Sequence, residues 1–162
     1  MSKFLNNYWY VAANSEELKD KPIARIILGN PIVLFRGKSG KIGALDDRCA
    51  HRLTPLSLGR IDGDRLECGY HGWTYDCAGK CVRLPGLETP QKITVKSFPL
   101  VEKWGWVFIW MGDPDKADNN TLPDFHVMGE EKWVGDGGML RVEAHCDLIR
   151  DNLLDLTHAK YT

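Results

Sequence analysis

The sequence has no long hydrophobic run. Its strongest apolar stretch, Trp104 to Met111, falls far short of the roughly twenty residues that a bilayer span needs. The opening residues, Met1-Ser-Lys-Phe-Leu-Asn-Asn-Tyr8, contain neither the apolar segment nor the small-residue cleavage site of a secretory leader, so a cytoplasmic protein with no membrane partner is expected. Basic residues form no run or stripe and the net charge is −1, which leaves no electrostatic footprint for nucleic acid. There is no internal repeat and no low-complexity tract. Cysteines are few and odd in number, five, which argues against a secreted disulfide framework. At 43% hydrophobic and 27% charged over 162 residues, what remains is an ordinary globular composition: one core, or one domain plus part of another.

What the chain does have is two short mixed clusters, Cys49-Ala-His51 and Cys68-Gly-Tyr-His71, with sixteen residues between them. Tight spacing lets one loop aim two side chains at one centre, and the gap brings a second loop to face the first. Each cluster supplies one thiolate and one imidazole. A Rieske [2Fe–2S] centre needs that stoichiometry, with two Cys on one iron and two His on the other. The alternative is a tetrahedral zinc site, for which Cys₂His₂ is a common ligand set, although zinc fingers usually pair Cys with Cys and His with His along the chain.

Short β-prone runs dominate the first two-thirds: Tyr8–Ala13, Arg25–Leu28, Ile32–Arg36, Ile42–Leu45, Arg65–Cys68, Ile93–Phe98 and Trp106–Trp110. Gly29-Asn-Pro31, Gly37-Lys-Ser-Gly40 and Asp62-Gly-Asp64 punctuate them, and 37–40 reads as a hairpin. The pattern predicts a mainly β fold of small antiparallel sheets, with both ligand clusters on loops just after strands. Pro55 and Gly59 shape the first loop, and Gly69 and Gly72 the second. Leu53, Leu56, Trp73 and Leu84-Pro85 are candidates to shield the site. Cys77 and Cys81 flank a turn at Ala78-Gly-Lys80 and are expected to be free thiols, and Cys146 a buried small apolar residue.

Residues 112–138 are polar and rich in Gly and Pro. A strand is expected over Met139–His145, followed by a helix that Asp147 caps and that runs through Leu148, Ile149, Leu153, Leu154 and Leu156 to Lys160. On one continuous helix, Asp151, Asp155 and His158 at i, i+4 and i+7 would share a face.

Taken together, the flanks Arg48-Cys-Ala-His-Arg52 and Cys68-Gly-Tyr-His-Gly-Trp73 closely resemble the Rieske signature. Asn152-Leu-Leu-Asp155-Leu-Thr-His158 downstream resembles the iron helix of Rieske non-haem iron oxygenases. Leu34-Phe-Arg-Gly, Tyr70-His-Gly-Trp-Thr-Tyr, Trp110-Met-Gly-Asp-Pro and Leu122-Pro-Asp-Phe are most similar to the vanillate O-demethylase, toluenesulfonate and dicamba monooxygenase group. The resemblance implies Cys49, His51, Cys68 and His71 as cluster ligands and His158 as the first ligand of a mononuclear Fe(II). It implies Asp155 as a carboxylate bridging His71 of one subunit to the iron histidine of its neighbour, and hence a homotrimer. It also implies a reductase as electron donor, O₂ as oxidant and a small aromatic acid as substrate. Respiratory Rieske proteins add a disulfide between their ligand loops, and the positions around Leu53 and Tyr70 offer no cysteines for one.

The second iron histidine, due about five residues after His158, and the carboxylate of the triad do not occur in these 162 residues. The resemblance therefore implies the N-terminal portion of a longer α subunit: a Rieske domain over 1–115, a connection over 116–138, and the start of an α+β catalytic domain over 139–162. The rival expectations are a stand-alone Rieske ferredoxin-type carrier and a structural zinc domain.

Overall fold

The computed structural model describes residues 4–87, 92–134 and 140–160. The chain runs β1 (Tyr8–Asn14), β2 (Ile23–Ile27), β3 (Asn30–Arg36), β4 (Ile42–Asp46), β5 (Arg60–Asp62), β6 (Arg65–Glu67), β7 (Thr74–Tyr75), β8 (Cys81–Arg83), β9 (Leu100–Lys103), β10 (Trp106–Met111) and one helix, α1 (Cys146–Leu154). Short 3₁₀ turns fill several of the connections. The strands form three antiparallel sheets, ordered β1-β10-β9, β2-β3-β4 and β5-β6-β7-β8. Among the described residues no helix is long and apolar enough to cross a membrane.

The β2-β3-β4 sheet is the middle layer, which explains why Ile32-Val-Leu-Phe35 is apolar without alternation. Ile32 and Leu34 face a core shared with Val107, Ile109 and Met111 of β10, while Val33 and Phe35 face a core shared with Leu66, Tyr75 and Cys81. A strand covered on both faces has no solvent side to keep polar. β10 is buried in the same way, since Phe108 and Trp110 turn outward onto Trp9, Ala117 and Leu122. Phe125 lies parallel to Phe108 at 6.3 Å between ring centroids, and the Trp9 indole donates to the Asp118 carbonyl. Part of the polar stretch after Met111 is thus laid across the outer sheet. Arg36 on β3 grips Glu102 on β9 with two hydrogen bonds of 2.6 and 2.9 Å, tying the middle sheet to the outer one.

The expected strands over 8–13, 32–36, 42–45 and 106–110 form with a residue or two added, and the first shifts at a bulge near Ala12. The turn at Gly37–Gly40 joins β3 to β4 as expected. Ile93–Phe98 is not a strand. Its Ile93 carbonyl and Val95 amide bond Cys81 and Gly79, and its Lys96 carbonyl and Phe98 amide bond Asp46 and Ala44. The segment straps two sheets together with two bonds to each, so neither side gathers a ladder. Four short strands, β5, β7, β8 and β9, carry too few residues to show a period.

The C-terminal expectations need more correction. Met139 lies outside the described residues, and Leu140–His145 form no strand, because no neighbouring strand among the described residues pairs with them. The helix is capped by His145, whose Nδ1 accepts from the Asp147 amide, so Asp147 sits in the first turn instead of at the cap. The helix stops at Leu154. Asp155 leaves helical geometry at φ −99°, ψ 93°, and a 3₁₀ turn follows over Leu156–Lys160, so Asp151, Asp155 and His158 do not share one continuous face. No residue of α1 is buried, and Cys146 is exposed instead of packed.

Two outcomes test this account. A Cβ on Gly59 would fall 2.0 Å from the Glu67 carbonyl oxygen, where β6 and the first ligand loop touch. Gly59→Ala is therefore expected to cost about 1–3 kcal/mol, read from urea unfolding. The Arg36 guanidinium holds the Glu102 carboxyl below its usual range. The pair therefore stabilises the fold above the unfolded Glu value near 4.3 and loses this effect as pH falls through the lower folded value. Glu102→Gln should cost about 1 kcal/mol at pH 7, and the difference from wild type should vanish at strongly acidic pH.

Candidate metal centre

The two clusters occupy loops built on one plan. After β4, the Cys49 amide donates to the Thr54 carbonyl at 2.9 Å, and the Cys49 carbonyl accepts from the Leu53 amide at 2.9 Å. After β6, the Cys68 amide donates to the Trp73 carbonyl at 2.8 Å, and the Cys68 carbonyl accepts from the Gly72 amide at 3.0 Å. In each loop the residue four after the cysteine takes a left-handed backbone, Leu53 at φ 56° and Gly72 at φ 72°. Glycine adopts that conformation freely; leucine does so at a cost of order 1–3 kcal/mol. Nothing in the letters Arg-Leu-Thr announces a left-handed leucine, and only the match with the second loop makes it intelligible.

Side chains that sequence reasoning missed hold both loops. Asp47, nearly buried, accepts from the Ser57 amide at 2.7 Å and from the Ser57 hydroxyl at 2.6 Å, closing the base of the first loop. Glu67, also buried, is ion-paired to both Arg60 on β5 and Arg83 on β8. Arg83 also donates to the Thr74 hydroxyl at 3.1 Å, which in turn donates to the Gly72 carbonyl at 3.0 Å. Two guanidiniums on one buried carboxylate satisfy its charge, which would otherwise be costly there. The only sequence signal was an acidic residue next to a ligand-type cysteine in a strand.

The result is a polarised site. Cys49 and Cys68 are each only 2% exposed, whereas His51 and His71 are exposed. The two imidazoles lie 4.6 Å apart at 64°. Trp73 stacks on His51 at 4.7 Å and 6°, and Tyr70 lies over His71 at 3.8 Å. Loss of solvent around the ring, with His71 and Arg52 close by, lowers the His51 pKa. Burial pushes the Cys68 thiol up, against the opposing pull of the Tyr70 and His71 amides that donate to its sulfur. The Tyr75 hydroxyl lies 3.3 Å from Cys49 Sγ and 3.2 Å from the Ala50 amide nitrogen, and burial pushes its pKa up as well.

Leu56 and Leu84 are buried in the same core cluster as the two thiols, Trp73 is half-buried against His51, and Leu53 and Pro85 lie exposed. Cys77 and Cys81 are both free thiols, with Cys81 in the core beneath Tyr75.

Asp155 serves its own turn. Its Oδ1 accepts from the Thr157 amide at 3.0 Å and the Thr157 hydroxyl at 2.5 Å, which lowers its pKa. His158 follows on the same 3₁₀ turn.

Among the described residues, the one set of three donors converging within 4.8 Å of one another is His145, Cys146 and Asp147, and all three are exposed. No three of Cys49, His51, Cys68 and His71 converge that closely, as one zinc held at about 2.0–2.3 Å would need. Paired thiols within and paired imidazoles at the rim suit two metals, each with two protein ligands. The donor set therefore fits a two-iron cluster better than a single ion, and the fold is a β domain whose two adjoining loops bring two thiols and two imidazoles together.

The comparisons agree. The Rieske [2Fe-2S] domain family matches residues 8–99, and the chain belongs to that family. It is 42% identical over 160 residues to the oxygenase component of dicamba O-demethylase from Stenotrophomonas maltophilia, covering 98% of this chain and 47% of that protein. It is 41% identical over 157 residues to the iron-sulfur subunit TsaM1 of the toluene-4-sulfonate monooxygenase system of Comamonas testosteroni, covering 96% and 45%. The crystal structure of dicamba monooxygenase bound to dicamba superposes with a TM-score of 0.92 at 42% identity, covering 98% of this chain and 48% of that one. The chain thus spans about half the length of these relatives.

Tyr75→Phe removes the hydroxyl from buried Cys49 Sγ and from the Ala50 amide, which then turns to solvent. It should cost about 1 kcal/mol in urea unfolding. In the cluster-loaded chain it should also lower the reduction potential, read by redox titration, because a hydrogen bond to a ligating sulfur favours the more electron-rich state.

Proposed function

We propose that the chain is the N-terminal, electron-transferring part of a Rieske non-haem iron oxygenase α subunit. Residues 1–115 are its cluster domain, 116–138 a connection and 139–162 the opening of a catalytic domain. Cys49 and Cys68 hold one iron and His51 and His71 the other. The observation that carries this is the pair of equivalent loops, which bury two thiols and present two imidazoles at the surface.

When bound, a [2Fe–2S] cluster supplies a one-electron carrier whose potential the imidazoles raise to roughly −150 to +300 mV. The protein's own residues set its surroundings. Burial of Cys49 and Cys68 among Leu56, Leu66 and Leu84 excludes water from the sulfur side. The Tyr75 hydroxyl and the Tyr70 and His71 amides direct hydrogen bonds at the sulfurs. Trp73 and Tyr70 fix the imidazole planes, so each ring offers its outer N–H to a partner.

In the whole protein, His71 donates to Asp155 of a neighbouring copy, and His158 is the first ligand of a mononuclear Fe(II). This arrangement requires a ring of subunits, a homotrimer. Breaking the Thr157 bonds, or sharing Asp155 through its second oxygen, frees the carboxylate for that bridge. The partners are a reductase, O₂ and a small aromatic acid, hydroxylated on a methyl or methoxy carbon in a cytoplasmic catabolic setting. The names of the similar proteins, oxygenase components and an iron-sulfur subunit of monooxygenase systems, support this over a stand-alone carrier. A solved dicamba monooxygenase holding non-heme iron and dicamba, at 42% identity, supports the second metal.

The test is the EPR spectrum of the dithionite-reduced chain with iron and sulfide analysis. A rhombic Rieske signal with two irons and two sulfides is expected, and a colourless, zinc-loaded, EPR-silent protein would overturn the proposal. His71→Cys should move the potential toward the roughly −400 mV of all-cysteine plant-type clusters, and an unchanged potential would remove His71 from the ligand set.

A further inference from the structure

The second ligand loop joins β6 to β7, and one row of side chains crosses the sheet that carries it. Arg60 on β5 stands opposite Glu67 on β6, Glu67 opposite Thr74 on β7, and Thr74 opposite Arg83 on β8. Glu67 and Thr74 are 5% and 0% exposed, and the arginines close the row from both ends. Arg83 divides its grip. One terminal nitrogen of its guanidinium meets the Glu67 carboxylate, and Nε donates to the Thr74 hydroxyl at 3.1 Å. A guanidinium cannot accept, so the hydroxyl proton is left for the Gly72 carbonyl, 3.0 Å away. Gly72 is the left-handed residue of the loop, and its amide donates to the Cys68 carbonyl at 3.0 Å. Enclosed in that turn are Tyr70 and His71, whose amides donate to the Cys68 sulfur. A continuous chain of contacts thus runs from a strand outside both ligand motifs to the hydrogen bonds on a ligating thiol.

We propose that Arg83 is a positioning residue for the cluster. By forking between Glu67 and the Thr74 hydroxyl, it fixes the turn that aims the Tyr70 and His71 amides at Cys68 Sγ, and so sets part of the reduction potential. This rests on the cluster function proposed above and adds a residue that tunes it. The fork carries the effect, not the charge. Arg60 also neutralises Glu67, so a change at Arg83 leaves no bare carboxylate in the core. A lysine at this position would keep the positive charge, but an ammonium on a flexible stem lacks the planar, fixed donors that span a carboxylate and a hydroxyl. Hydrogen bonds to a ligating sulfur favour the more electron-rich state. A turn without its anchor lets both amides drift, which costs the reduced state more than the oxidised one and lowers the potential.

The test is a redox titration of the cluster-loaded chain, followed by EPR, on wild type and four variants. Arg83→Lys keeps the charge and removes the fork. Thr74→Val keeps the shape and the Glu67–Arg83 pair and removes the hydroxyl, which Thr74→Ser retains. Glu102→Gln weakens the fold at the ion pair between the middle and outer sheets, away from both ligand loops. Arg83→Lys and Thr74→Val are expected to lower the equilibrium constant for one-electron reduction by about 3- to 10-fold, a tenfold fall being about 59 mV. Thr74→Ser and Glu102→Gln should titrate with wild type. A wild-type potential in either Arg83→Lys or Thr74→Val would overturn the proposal. So would an equal fall in Glu102→Gln, which would trace the shift to lost stability, or a fall in Thr74→Ser as large as in Thr74→Val, which would trace it to packing. If Arg83→Lys assembles no cluster, the two Thr74 variants decide the outcome by the same criteria. A wild-type chain that assembles no cluster in the preceding EPR experiment would instead overturn the underlying function.

Discussion

The site depends on one constraint: two loops from different strands must bring their cysteines to the same depth and distance. The backbone achieves this by repeating itself. In each loop the cysteine amide and carbonyl bond residues five and four positions on, so the two thiols start from equivalent frames. The loops are then pressed together where Gly59 meets the Glu67 carbonyl, with no room for a side chain between them. The sheets, the strap at 93–98 and the charged clamp on Glu67 all hold that contact in place.

The same arrangement separates two tasks. Thiols in the core and imidazoles at the rim place the apolar, water-excluding side and the solvent-facing side of the centre on opposite faces. Buried sulfur receives hydrogen bonds from the protein instead of from water, and the exposed rings keep an edge for whatever meets them. The strained Leu53 backbone belongs to this division, since the turn that buries Cys49 also lifts a leucine into solvent beside His51.

The C-terminal segment follows a different logic. In α1 and the turn after it, Leu148, Leu153, Leu154 and Leu156 are all more than 60% exposed, and the helix ends as soon as Asp155 can bond Thr157 instead. Local hydrogen bonding decides the conformation where no packing from the described residues opposes it. Helical periodicity overestimated the length of this element for that reason: a repeat of apolar residues is a demand for a partner surface, and without one the demand does not hold the helix together.

Part of the site was legible beforehand. Cys49, His51, Cys68 and His71 stand out by residue type and spacing, and the structure sets them on adjoining loops with both thiols buried and both imidazoles together. The longer strands announce themselves because burying both faces of β3 and β10 needs unbroken apolar runs. What only the tertiary structure decided is what depends on contacts between distant segments. These are the left-handed Leu53, the Asp47–Ser57 closure, the two arginines on Glu67, the Tyr75 hydroxyl at Cys49, the strap at 93–98 and the early end of α1. In each case the residue type permits several roles, and the neighbour that selects one of them lies elsewhere in the chain or immediately outside the local pattern.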